Sequence, residues 1–208
     1  MALDPTKSLT SPTTSGPTEN DYALCVVVSN QLVAIGYNSG HVSLYNNDVV
    51  HGDATLITTW RAHSSSVRTA CFLKSDGNIF KKDLVTGSDD HKIIHWSLAE
   101  QSSGRQPVPK RSFSGHTDGV TCVRNKEAFV LSTSKDCTVR VWNAIMFDDD
   151  DDDGDQNQNG GRSSDQTYTG RIVKSVSTLH GHTGIVTCCD LSPCETKAIS
   201  CGYDRVRF

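Results

Sequence analysis

Residues 115–143 read GHTDGVTCVRNKEAFVLSTSKDCTVRVWN. A Gly-His pair opens the stretch. A short run with alternating apolar residues follows from Val120. A second run, FVLSTS, begins at Phe129, and a third, TVRVW, ends at Trp142. Turn-forming Lys135-Asp136 separates the last two. Short Val- and Thr-rich runs bounded by polar turns read as antiparallel strands. The polar residues inside this pattern are spaced regularly: Ser132, then Asp136 four residues on, then Trp142 six beyond that. The same order occurs twice more. AHSSSVRTACF (62–72) is followed by LVTGSDDHKIIHWSL (84–98), and GHTGIVTCCDLSP (181–193) by KAISCGYDRVRF (197–208). Self-similarity at such a period marks a repeat architecture, in which each unit buries its faces against its neighbours.

These motifs resemble the WD-repeat β-propeller family, over roughly residues 22–208 with one long interruption. The resemblance implies an all-β fold whose unit is a four-stranded antiparallel blade running from Gly-His to Trp-Asp. It also implies a buried hydrogen-bonded set in each blade. By position the sets are Trp96, Thr86, His63 and Asp90, then Trp142, Ser132, His116 and Asp136. The last repeat supplies Ser200, His182 and Asp204, and its Trp would fall at position 210. In such a set the carboxylate accepts from the imidazole, the imidazole from the hydroxyl, and the hydroxyl from the indole N–H, so no polar group is orphaned. There are departures. Arg-Ala precedes His63 where Gly-containing pairs are usual, and Ser97 and Asn143 follow the Trp residues in place of Asp. Residues 22–46 read as a degenerate first blade, with Tyr45 at the Trp position, Ser39 at the Asp position and Ile35 at the hydroxyl position.

The expected organisation is a disordered tail over 1–20 and an incomplete propeller over 21–208. Its blades cover about 21–58, 59–110, 111–178 and 179–208, the last one cut short, with a disordered acidic insert at 148–170 in the third. The family usually closes seven blades into a ring, because closure leaves no unpaired sheet edges. Three clear repeats and one weak one therefore point to a fragment of a longer propeller. Completion by another copy or another protein, and a poorly stable product, are the other readings.

Bulk properties exclude several classes. The 208 residues carry 20 Lys and Arg against 24 Asp and Glu, a net charge of −4. Asp148–Asp153 and Asp155 supply seven of the negative charges, which leaves the remainder near +3. No basic patch of the kind that binds nucleic acid is indicated. The start, MALDPTKSLTSPTTSGPTEN, lacks the apolar core of a secretory signal, and no stretch reaches the roughly 18 to 20 apolar residues needed to span a bilayer. An intracellular protein, cytoplasmic or nuclear, is expected. Eight cysteines are present (Cys25, Cys71, Cys122, Cys137, Cys188, Cys189, Cys194 and Cys201) with no C-x-x-C pair. They fall mostly in predicted strands and read as reduced thiols acting as small hydrophobes, not as a zinc site. For adjacent Cys188 and Cys189 a strand puts one side chain inside and one out.

No catalytic, metal or cofactor site is expected. Asp149, Asp151, Asp153 and Gly154 match the opening of a calcium loop, but Gly160 stands where a bidentate Glu belongs, and flanking helices are missing. The insert reads as a solvated loop, or as an acidic patch for a basic protein partner at Asp148–Asp155. Ser114, His116 and Asp118 are close in sequence, but a catalytic trio is defined by geometry, and His116 is claimed by the blade set. Ser11-Pro12 reads as an ordinary Ser-Pro of the tail.

In the family, loops entering the first strand and turns between the second and third strands line one rim, a frequent binding surface. Carried over, that rim comprises Asp89, Lys135 and Tyr203 before each Asp, and Ser64, Thr117 and Thr183 after each His. The expected function is a non-enzymatic scaffold or adaptor subunit that binds other proteins in an intracellular complex. The rivals are a truncated product of little independent function and a calcium-binding or enzymatic module.

Overall fold

The computed structural model describes residues 17–29, 31–48, 53–73, 83–98, 106–126, 129–144, 171–192 and 197–205. The acidic run, the Ser11-Pro12 site, the calcium-like motif and Cys194 lie outside the described residues. Fifteen strands and no helix are described. The first sheet is β1 (Ala23–Val28), β2 (Leu32–Tyr37), β3 (His41–Asp48) and β4 (Asp53–Arg61), paired in chain order and antiparallel. The second is β5 (Val67–Leu73), β6 (Asp83–Ser88), β7 (Ile93–Ser97) and β8 (Val108–Phe113), and the third begins with β9 (Val120–Lys126), β10 (Phe129–Ser134) and β11 (Val139–Asn143). The fourth is the pair β14 (Val186–Leu191) and β15 (Ala198–Gly202).

The first strands of successive sheets lie side by side, β1 by β5, β5 by β9 and β9 by β14. The sheets therefore stack face to face as blades around these strands. Apolar residues fill each gap between blades. Val42, Leu44 and Trp60 meet Val67, Leu84, Ile94 and Trp96 between the first and second. Val85, Ile93 and Phe113 meet Val120, Val123, Val130 and Trp142 between the second and third. Cys122, Leu131 and Val139 meet Val186 and Cys189 in the last gap. Successive residues of a strand face opposite sides of its sheet, so Leu84 packs toward the blade before and Val85 toward the blade after. This explains why Leu84–Ser88 and Val130–Ser134 are buried throughout: both faces are covered.

Each first strand carries one extra residue at the same place. The register jumps past Leu24, Arg68, Thr121 and Thr187. A repeated bulge of this kind twists the strand end and re-aims the extra side chain. Thr121 uses it to hydrogen-bond the Val186 carbonyl of the next blade.

One strand departs from the expected all-antiparallel blades. β12 (Arg171–Val173) follows the acidic insert and pairs in parallel with β8, as a fifth strand on the second blade. Only then does the chain reach β13 (Ser177–Leu179), which pairs with β11 and completes the third blade. Val173 explains the detour. It is buried with Phe113 and Trp142 in the second gap, and its carbonyl accepts the Ser114 N–H at 3.1 Å. The insert is thus bracketed by two blades.

Candidate functional site

Two complete side-chain chains run through the second and third blades. Trp96 Nε1 donates to Thr86 Oγ1 at 2.9 Å, Thr86 Oγ1 lies 2.8 Å from His63 Nε2, and His63 Nδ1 lies 3.0 Å from Asp90 Oδ2. In the third blade Trp142 Nε1 donates to Ser132 Oγ at 2.8 Å, and His116 spans Ser132 and Asp136 at 2.7 Å on either side. The fourth blade has the shorter version, with His182 between Ser200 and Asp204 at 2.9 Å each. With Nδ1–H donating to the carboxylate, Nε2 accepts the hydroxyl proton, and the hydroxyl oxygen accepts the indole N–H. His116 is thereby occupied. Asp118 lies elsewhere, accepting the Gly119 N–H on its carboxylate and the Ser134 hydroxyl on its carbonyl, so Ser114, His116 and Asp118 form no trio.

The carboxylates also hold main chain. Asp90 accepts the Ser64 and Lys92 N–H groups, Asp136 those of Thr117 and Thr138, and Asp204 that of Thr183. Each chain therefore ties the loop entering the first strand to the turn between the second and third. Burial pushes the Asp90 carboxyl up, but the His63 hydrogen bond and these N–H donors outweigh it and hold it at about 2. The same balance, with His116 and Thr138 as partners, lowers Asp136. Residues just after each Asp, His91, Cys137 and Arg205, adopt left-handed backbone near φ +65° (69°, 66° and 63°), which lets the turn fold back over the carboxylate. Cys137 thus sits in a turn, not in a strand.

In the first blade Ile35 pairs with Ser43 across β2 and β3, as Thr86 pairs with Ile94. Ser39 donates to or accepts from His41 Nδ1 at 3.0 Å. Gly40 takes the left-handed position at φ +86°. A Cβ there would collide with the His63 carbonyl, so glycine is required.

The candidate partner-binding rim is brought to one end of the blades. Asp89 N–H donates to the Ser66 carbonyl, Lys135 to Gly119 and Tyr203 to Ile185, at 2.9 to 3.0 Å. Asn38 donates to the Tyr22 carbonyl at 3.1 Å in the same way. Asn38 is thus the first-blade member of this series, missed in the sequence because the residue after it is Ser and not Asp. Asp89 joins two blades: Lys135 Nζ reaches it at 2.8 Å and Arg68 Nε at 2.7 Å. Gly119 makes room for this contact, since a Cβ would lie 2.6 Å from Asp89 Oδ1. Ser64, Thr117 and Thr183 are exposed, and Tyr203 is 76 % exposed.

A second repeated feature escaped the sequence reading. The residue three before each His, Trp60, Phe113 and Leu179, lies at the end of an outer strand. Trp60 packs edge-on to Trp96 with ring centres 5.7 Å apart, and Phe113 meets Trp142 at 5.5 Å. Each outer strand thus seals the Trp of the following blade. Leu179 is 43 % exposed. The available signal was the apolar side chain at the same offset from all three His residues.

Among the described residues no group of three His, Cys, Asp or Glu side chains is placed to hold a metal ion, and no helix is long and apolar enough to cross a membrane.

Comparison with known proteins agrees with this geometry. A DDB1- and CUL4-associated factor 11 homolog of Caenorhabditis briggsae is 31 % identical over 125 residues, covering 59 % of this chain and 22 % of that protein. The Caenorhabditis elegans homolog is 31 % identical over 127 residues, covering 60 % and 21 %. Cell division control protein 4 of Saccharomyces cerevisiae is 30 % identical over 132 residues, covering 61 % and 14 %. The matches thus span about a fifth or less of these relatives. Among solved structures, the WD40 β-propeller domain of Doa1 superposes with a TM-score of 0.61 at 19 % identity, over 92 % of this chain and 51 % of that one. The computationally designed Ika4 protein gives 0.62 at 16 % identity, over 96 % and 97 %. Residues 54–97, 107–143 and 173–206, more than half of the chain, match the WD40 family, described as WD domain, G-beta repeat, and the chain belongs to that family.

Proposed function

We propose that the chain is a non-enzymatic protein-interaction platform, an adaptor that offers one rim of its blades to protein partners in an intracellular complex. The carrying observation is the series Asn38, Asp89, Lys135 and Tyr203. Four equivalent turns lie at one end, each hydrogen-bonded to the loop entering its blade, and three are also tied through a buried His and Asp. Loops held this way lose little freedom when a partner binds, which favours affinity. Exposed Tyr203 is the anchor, since a tyrosine contributes large contact area at interfaces. Exposed Ser64, Thr117 and Thr183 supply hydrogen-bonding groups on the loops entering the second, third and fourth blades. WD-repeat propellers generally serve as interaction scaffolds, and the worm relatives are named for association with DDB1 and CUL4. The same association is proposed here. The partition into a tail over 1–20 and four blades over 21–208 is part of this reading, as is a basic partner for Asp148–Asp155.

The test is co-purification of the tagged chain with DDB1 and CUL4, compared with a Tyr203→Ala, Lys135→Glu double variant. A stoichiometric complex that the double variant weakens at least about tenfold, near the loss expected for an interface anchor, supports both rim and partner. Recovery unchanged by the substitutions moves the interface off this rim. Absence of DDB1 and CUL4 removes the proposed association.

A further inference from the structure

Spread along the strands in sequence as small hydrophobes, several cysteines are gathered in one place by the fold. β9 and β14 run side by side at the inner edge of the third and fourth blades, fastened by the hydrogen bond from Thr121 to the Val186 carbonyl. Cys122 on β9 and Cys189 on β14 face each other across that gap. Both are buried, at 4 % and 2 % exposed, in one cluster with Leu131, Val139 and Val186. Cys122, Cys188 and Cys189 lie near enough to shift one another's ionisation. Cys188, beside Cys189 on β14, is exposed. The Arg124 guanidinium lies close enough to act on all three.

We propose that Cys122 and Cys189 form a peroxide-reactive dithiol site, which closes to a disulfide joining the third and fourth blades. Three features support it. A thiolate is the reactive form, and neighbouring Cys189 and Arg124 lower the Cys122 thiol against the opposing effect of burial. The partner thiol lies in the same buried cluster, on the neighbouring inner strand. The two cysteines belong to different blades, so the bond crosses a gap that is otherwise held by packing and hydrogen bonds.

The oxidant is hydrogen peroxide or an organic hydroperoxide. The Cys122 thiolate attacks the O–O bond; an S–O bond forms, and hydroxide (or alkoxide) leaves. The Cys189 sulfur then attacks the sulfenic sulfur; the S–S bond forms, the S–O bond breaks, and water leaves with the Cys189 proton. Each sulfur is oxidised by one electron, and the peroxide takes up the pair.

The test treats the reduced full chain with hydrogen peroxide, blocks free thiols, and maps disulfides without reduction. The expected product is a cross-link from Cys122 to Cys189, formed in Cys188→Ser and absent in Cys122→Ser and Cys189→Ser. Closing a loop of this length raises the unfolding midpoint by about 5–10 °C, reversed by a thiol reductant. Each reduced variant is first compared with the parent by circular dichroism, so that a folding defect is not read as a lost reaction. A Cys122 that remains freely alkylated after peroxide while exposed Cys188 and Cys201 are oxidised overturns the proposal. So does a cross-link that survives Cys189→Ser.

Discussion

The third and first blades share four strands and one hairpin order, but hold their turns by different means. In the third, Trp142, Ser132, His116 and Asp136 form a continuous hydrogen-bonded chain from the outer part of the blade to the rim. In the first, Tyr45, Ile35 and Ser39 occupy the corresponding places. The turn there is held without a His–Asp pair: Asn38 Oδ1 accepts the Tyr22 N–H at 2.8 Å, and the Gly40 carbonyl accepts the N–H groups of Ala62 and His63 from the next blade, both at 3.0 Å. Both blades nevertheless pack. Leu44 and Val42 are as buried as Leu131 and Val139. The polar chain is therefore not what makes a blade. Apolar residues facing both gaps do that, and the chain fixes where the loop and turn lie.

This contrast makes testable demands on thermal or denaturant unfolding. The largest difference is expected for Trp142→Ala, which leaves a cavity at a site with no solvent exposure and costs about 3–5 kcal/mol. Half-buried Tyr45→Ala should cost about 1 kcal/mol. Equal losses would mean that the two blades are built alike after all. Next is Asp136→Ala, expected to cost about 1–3 kcal/mol by orphaning His116 and two backbone N–H groups. Ser39→Ala should stay within about 0.5 kcal/mol.

Acid sharpens the same comparison. A carboxyl whose folded pKa is depressed stabilises the fold above its unfolded value, and that stability is lost as pH falls through the folded value. For Asp90, held at about 2, the loss runs from about pH 4, the ordinary carboxylate range, down to about 2. Asp83 behaves alike: burial raises it, but hydrogen bonds from His95 and Lys110 hold it at about 2. Hydrogen exchange over this window should show β6–β7 and β10–β11 opening before β2–β3, whose turn has no carboxylate at the Ser39 position. Uniform opening would count against the distinction. A small effect is likewise expected for Lys135→Ala. Its ion pair with Asp89 is a third exposed on the lysine side, so the cost is about 0–1 kcal/mol and disappears in high salt.

Much of this arrangement could be read from residue spacing. The His, hydroxyl, Asp and Trp offsets identified three blades and named the partners in each polar chain, because a blade's hairpins keep their register and the same offsets bring the same atoms together. The degenerate blade could be read only from strand pattern, since Ile35 and Ser39 carry no distinctive polarity. Asn38 was missed for that reason.

Other features depend on contacts between blades, which no local pattern encodes. The sequence alone determined the strand alternation, the turn residues and the identity of each buried polar set, because these are matters of short-range periodicity. Only the tertiary structure decided that β12 leaves its own blade to pair with β8, that Asp89 meets Lys135, that Trp60 seals Trp96, and that Cys122 faces Cys189. Those pairs lie tens of residues apart and become neighbours only when sheets with two apolar faces stack to bury both of them.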